Sequence, residues 1–190
     1  MSQATENLKR TSSRFTTQKL VLMALFAAVL GVSAYISIPL PLPGAPHITL
    51  LNFMIILIAL LFSPTEAFAV IMIWMFLGLV GVPVFIGGRA GIAYLLAPYG
   101  GYTLVFPVVG TLLPLLRGKE YNRARYTIAA VIGVLVIDFL GMLWLMAMSR
   151  LSLRAGFLTG FLPFLPLDIL KAVAVAQIVP AFYRIMQKPD

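Results

Sequence analysis

RYTIAAVIGVLVIDFLGMLWLMAM, residues 125–148, is long enough to cross a bilayer, and after Arg125 its only charged side chain is Asp138. A helix needs about 20 apolar residues to cross a hydrocarbon core roughly 30 Å thick, so this stretch reads as a transmembrane helix. Comparable apolar runs extend on both sides, filling most of the chain from Phe15 to Met186, and Asp138 and Asp168 are the only acidic residues inside them. With 61% hydrophobic and 11% charged residues in a chain of 190, the balance is that of an integral membrane protein with room for about six crossings. Lipid penalises unpaired charge, so the few ionisable groups inside the runs are the first candidates for function.

Six spans are predicted, an all-α architecture. The first covers 18–36 and is stopped by the proline-rich stretch 38–46, because proline lacks the donor that a continuing helix needs. The second covers 48–62. Ser63 then serves as a cap with Pro64 at the first helical position, opening a third span through residue 80. Residues 81–101, rich in glycine yet apolar, form a loop; irregular backbone at membrane depth is tolerated only where protein or a water-filled cavity surrounds it. The fourth span covers 101–116, with Pro107 expected to bend it, the fifth 125–148 and the sixth 166–186. The organisation expected is a cytoplasmic basic segment 1–17, a single six-helix membrane domain 18–187 and a tail 188–190. The first run is of spanning length and lacks an obvious small-residue cleavage site, so it reads as an uncleaved helix.

Lys9, Arg10, Arg14 and Lys19 precede or open the first span, Arg117, Lys119, Arg123 and Arg125 join the fourth to the fifth, and Arg184 and Lys188 end the chain. The opposite side has Arg89, Arg150 and Arg154, so the basic excess places both termini in the cytoplasm and the glycine-rich loop outside. The net charge of +8 is thereby explained by topology and anionic headgroups, without nucleic acid. The chain has no cysteine and a single His, which excludes disulfides, thiolate chemistry and the usual zinc constellations, and no metal site is expected. It also has no phosphate-binding Gly-Lys-Ser or Gly-Lys-Thr loop, so any ATP hydrolysis belongs to another subunit.

Four linked motifs carry a family resemblance: Ile38-Pro-Leu-Pro followed by His47-Ile-Thr-Leu, Gly81-Val-Pro-Val-Phe-Ile-Gly-Gly, Pro98-Tyr-Gly-Gly-Tyr102, and Phe164-Leu-Pro-Leu-Asp168-Ile-Leu-Lys171-Ala. Over roughly residues 20–180 and in this order, the chain resembles the BioY family, the biotin-specific substrate-binding (S) subunits of energy-coupling factor (ECF) transporters. The resemblance implies a six-helix S component with the apolar glycine-rich loop outside, binding biotin there with high affinity. It also implies a transmembrane coupling protein of the EcfT type and two cytoplasmic ATPase subunits as partners, delivery by toppling in the membrane, and no cofactor on this chain. The chain departs from the family pattern at three places. Asn52 and its neighbours stand where Gln-Thr is common, Arg89-Ala90 interrupts a more glycine-rich loop, and Asp138 occupies a position that is often Tyr.

Biotin presents an apolar bicyclic ring, a ureido group and a carboxylate, so its pocket needs aromatic or aliphatic walls, one cation and a few polar groups. Asp168 and Lys171, three apart, share a face near the outer end of the sixth span. Either they serve the ligand, Lys171 at its carboxylate and Asp168 at a ureido N–H, or they neutralise one another at the helix start. Arg89 competes for the carboxylate, its alternative being a loop charge at the headgroups. Tyr94, Tyr99 and Tyr102 fit pocket walls or an interfacial aromatic belt, with Gly87 and Gly88 beside them as candidate contacts. Asn52 offers a donor and an acceptor to the ligand or to a neighbouring helix.

Asp138 must be protonated or face water or a polar partner. Trp144, six residues on, is a weaker candidate for stacking on a ligand ring, and His47 reads as a loop residue. Ala24 and Ala28 have the spacing that lets another helix approach closely; the resemblance assigns them to docking, and packing within the chain is the alternative. An intramembrane enzyme using Asp138, Asp168 and Lys171 lacks a nucleophile or activated Ser–His pair, and a passive channel lacks a ring of pore-lining polar residues. No catalytic residue is expected.

Overall fold

The computed structural model describes residues 17–39 and 47–186. Lys9, Arg10, Arg14, most of the proline-rich stretch, Lys188 and the expected terminal segments lie outside the described residues. Eight α-helices follow in the order α1 Thr17–Ser33, α2 Leu51–Leu61, α3 Pro64–Leu79, α4 Ile92–Leu95, α5 Gly100–Arg117, α6 Arg123–Ser149, α7 Leu153–Gly156 and α8 Leu165–Met186. A π-helical turn, Phe157–Phe161, follows α7, and the strands β1 Ser37–Pro39 and β2 His47–Thr49 form an antiparallel hairpin after α1.

The six expected spans correspond in order to α1, α2, α3, α5, α6 and α8, but among the described residues only α5, α6 and α8 are long and apolar enough to cross a membrane. The first span ends three residues early and the second starts three residues late. Residues 37–39 and 47–49 pair as strands, satisfying backbone groups that a helix would otherwise have satisfied. At 11 residues, α2 rises about 16 Å. Nine of its residues are buried, so its flanks meet protein on every side.

Small residues set the spacing between helices. A methyl group at Gly133 of α6 would lie 2.8 Å from Leu113 of α5, and one at Gly110 of α5 would lie 2.5 Å from Ile71 of α3. Between apolar helices in lipid, such close approach supplies the attraction that water expulsion supplies elsewhere. The cap expected at Ser63 is present: its backbone N–H donates to Glu66 Oε2 at 3.1 Å, and Glu66 also pairs with Lys19 of α1.

At the same end, the buried Arg117 donates to Phe62 O at 3.0 Å and to Tyr126 Oη at 2.7 Å, while Tyr183 donates to Leu60 O at 3.0 Å. Groups from α5 and α8 thus satisfy the orphan carbonyls at the end of α2. By the distribution of basic residues, this is the end expected to face the cytoplasm.

Candidate functional site

At the opposite end, β2, the segment between α3 and α5, the start of α5 and the turn before α8 converge around a cavity of about 430 Å³. That volume falls in the range of about 300–1,000 Å³ typical of small-molecule sites. Asn52, Arg89, Tyr94, Tyr99 and Tyr102 all line it, as do Phe106, Phe164 and Asp138.

The segment between α3 and α5 is bolted to the bundle. Phe85 is fully buried, stacks on Tyr94 with centroids 4.6 Å apart and meets Trp74 of α3 edge-on at 5.3 Å. Trp74 Nε1 donates to Val84 O at 3.1 Å. Gly87 and Gly88 both have φ of 71°, a backbone conformation that most side chains resist. Gly88 packs against Tyr35, whose hydroxyl donates to Pro83 O. These two glycines shape the loop without lining the cavity, and the loop contains the short helix α4, a correction to the irregular segment expected. Arg89 lies at the exposed rim and forms no salt bridge among the described residues.

Tyr102 packs against Gly141 of α6, donates its hydroxyl to Gly160 O and lies 6.0 Å from the Phe164 ring. Tyr99 stacks beside it at 6.3 Å. Tyr94 Oη is 3.3 Å from Thr103 Oγ1, and burial pushes the Tyr94 phenol up from its ordinary value, as it does that of Tyr99. Trp144 is set behind the wall: its Nε1 donates to Ala97 O at 3.1 Å and its side chain covers Gly101, so its indole props the Ala97-Pro98 turn and is not on the cavity surface.

Asp168 and Lys171 also stand one layer back. Lys171 Nζ donates to Asp168 Oδ1 at 2.7 Å and to Thr49 O at 2.8 Å, and Asn52 Nδ2 donates to Asp168 Oδ2 at 2.9 Å. Asp168 is buried, and this network ties β2, α2 and α8 together behind the wall. Sequence reasoning did not single out Phe106 or Phe164 for the site, because an apolar wall residue carries the same signal as core. His47, read as a loop residue, is at the cavity with Nδ1 3.3 Å from Ser37 Oγ. Ala24 and Ala28 lie on the exposed face of α1, while Met23, Phe26, Ala27 and Leu30 face the core, so the two alanines do not serve packing within the described chain.

Apolar helices enclosing a ligand-sized cavity with a cation at its rim define a membrane protein built to hold a small molecule at one end of a bundle. The BioY family model matches residues 5–188, and the chain belongs to the BioY family. Among curated relatives, it is 35% identical over 157 residues to Biotin transporter BioY2 of Lactococcus lactis subsp. cremoris, covering 82% of this chain and 85% of that protein. To the probable biotin transporter BioY of Pyrococcus horikoshii it is 39% identical over 151 residues, covering 80% and 87%. Its structure resembles the crystal structure of the S-component for biotin from an ECF-type ABC transporter, with a TM-score of 0.79 and 26% identity, covering 90% of this chain and 95% of that one. These relatives are transporters and not enzymes.

Proposed function

We propose that this chain is the high-affinity biotin-binding S component of an ECF-type vitamin uptake transporter, loaded from the extracellular side with both termini in the cytoplasm. The observation that carries this reading is the cavity itself, in which aromatic walls from Tyr94, Tyr99, Tyr102 and Phe164 meet one rim cation, Arg89. Arg89 holds the biotin carboxylate. Lys171 is the poorer candidate for that role, since Asp168 and the Thr49 carbonyl already occupy it. The Tyr102 and Phe164 rings flank the bicyclic ring, Asn52 offers its amide from the wall, and Asp168 with Lys171 holds Asn52 in place. Gly87 and Gly88 set the loop that presents Arg89.

Delivery follows by reorientation with a coupling protein of the EcfT type and two ATPase subunits, which alone use ATP; this chain needs no cofactor. The exposed Ala24 and Ala28 support α1 as the surface that receives the coupling protein, because small side chains let helices approach closely.

Calorimetric titration of the purified chain in detergent tests the binding claim. Saturable biotin binding is expected, and Arg89→Ala should weaken it by about 10- to 100-fold, the equivalent of one charge-assisted contact. No binding of biotin alongside tight binding of a different vitamin would overturn it.

A further inference from the structure

We infer that Asp138 recognises the ligand, accepting a hydrogen bond from one of its N–H groups on the inner wall of the cavity, across from the Arg89 rim. This rests on the biotin reading above and extends it to a residue in the middle of α6. Asp138 is 1% exposed and lines the cavity, and neither of its carboxyl oxygens has a hydrogen-bond partner among the described residues. A buried carboxyl without partners costs several kcal/mol at this depth, so its retention calls for a partner that the cavity brings.

Several donors at or behind the cavity wall already have partners within the chain. Asn52 Nδ2 and Lys171 Nζ go to Asp168, Lys171 also to Thr49 O, and the Tyr102 hydroxyl to Gly160 O. Arg89 and Asp138 are complementary: a cation at the exposed rim and an acceptor on the buried wall, neither side chain paired with another among the described residues. A ligand that satisfies both has an anion at one end and N–H donors at the other. Biotin has this form, with a carboxylate at the end of its chain and a ureido group on its ring.

The test compares wild type, Asp138→Leu and Asp138→Asn as full-length chains, titrated with biotin, desthiobiotin and 2-iminobiotin, with thermal unfolding followed in parallel. Desthiobiotin keeps the ureido group, and 2-iminobiotin replaces it with a guanidine that offers a carboxylate two adjacent donors. Asp138→Leu should weaken biotin and desthiobiotin alike, by about tenfold or more. It should leave the unfolding temperature unchanged or higher, since it removes an unpaired buried acid. Asp138→Asn keeps an acceptor and should retain more biotin affinity than Asp138→Leu, while lowering the affinity for 2-iminobiotin relative to biotin.

Wild-type affinity for biotin in Asp138→Leu would overturn the inference and leave the biotin reading intact. Loss of affinity accompanied by a lowered unfolding temperature would also overturn it, by showing a structural role. A wild-type chain that does not bind biotin overturns the reading beneath it instead.

Discussion

Lys171 does its work by touching two neighbours at once. It neutralises Asp168, whose side chain is almost fully buried, and it holds the Thr49 carbonyl where β2 turns into α2. Removing one member of a buried pair costs more than removing both, because the survivor is left charged and unpaired. Lys171→Met should therefore lower stability by about 3 kcal/mol, whereas Asp168→Asn combined with Lys171→Met should cost clearly less; unfolding of the two variants in detergent checks the order. Their spacing of three on one helical face left two readings open, service to the ligand or mutual neutralisation, and in the structure the two are paired. Their position behind the wall was not legible, because nothing in 165–171 announces that Asn52, more than a hundred residues away, will stand between them and the cavity.

Among the elements, the segment between α3 and α5 illustrates how far local signals reach. Its glycines and aromatics announced an ordered, non-helical excursion, and Tyr94, Tyr99 and Tyr102 were singled out by their crowding beside paired glycines. Helix α4 and the strands β1 and β2 went unread because each is only three or four residues long, too short to leave a periodic pattern. Gly78 shows the dependence: a methyl group there would lie 2.2 Å from the Phe85 ring, which is held between Trp74 and Tyr94 and cannot retreat. Gly78→Ala should cost about 1–3 kcal/mol and, by shifting the loop that carries Arg89, weaken ligand binding. Gly110→Ala meets only the flexible tip of Ile71 and should be milder on both counts, as titration and unfolding of the two variants would show.

For the whole molecule, the six apolar helices and their order were legible from runs of hydrophobic residues, while the shortness of α2 was not, since burial by neighbours and burial by lipid leave the same composition. If the exposed face of α1 receives the coupling protein, as proposed above, binding and delivery separate there. Ala28→Trp adds bulk at an exposed position of α1, so ligand affinity should stay within about twofold of wild type, while ATP-driven uptake by the assembled transporter should fall at least tenfold. Equal losses of binding and uptake would place Ala28 in the ligand site instead.

The knot formed by Arg117, Tyr126 and Tyr183 around the last carbonyls of α2 has a bearing on traffic. It closes the end of α2 at the pole away from Arg89, where Leu57, Leu60 and Phe62 are buried, while the described cavity opens beside Arg89. On the function proposed above, cargo loaded beside Arg89 leaves by that same mouth after the subunit has turned over.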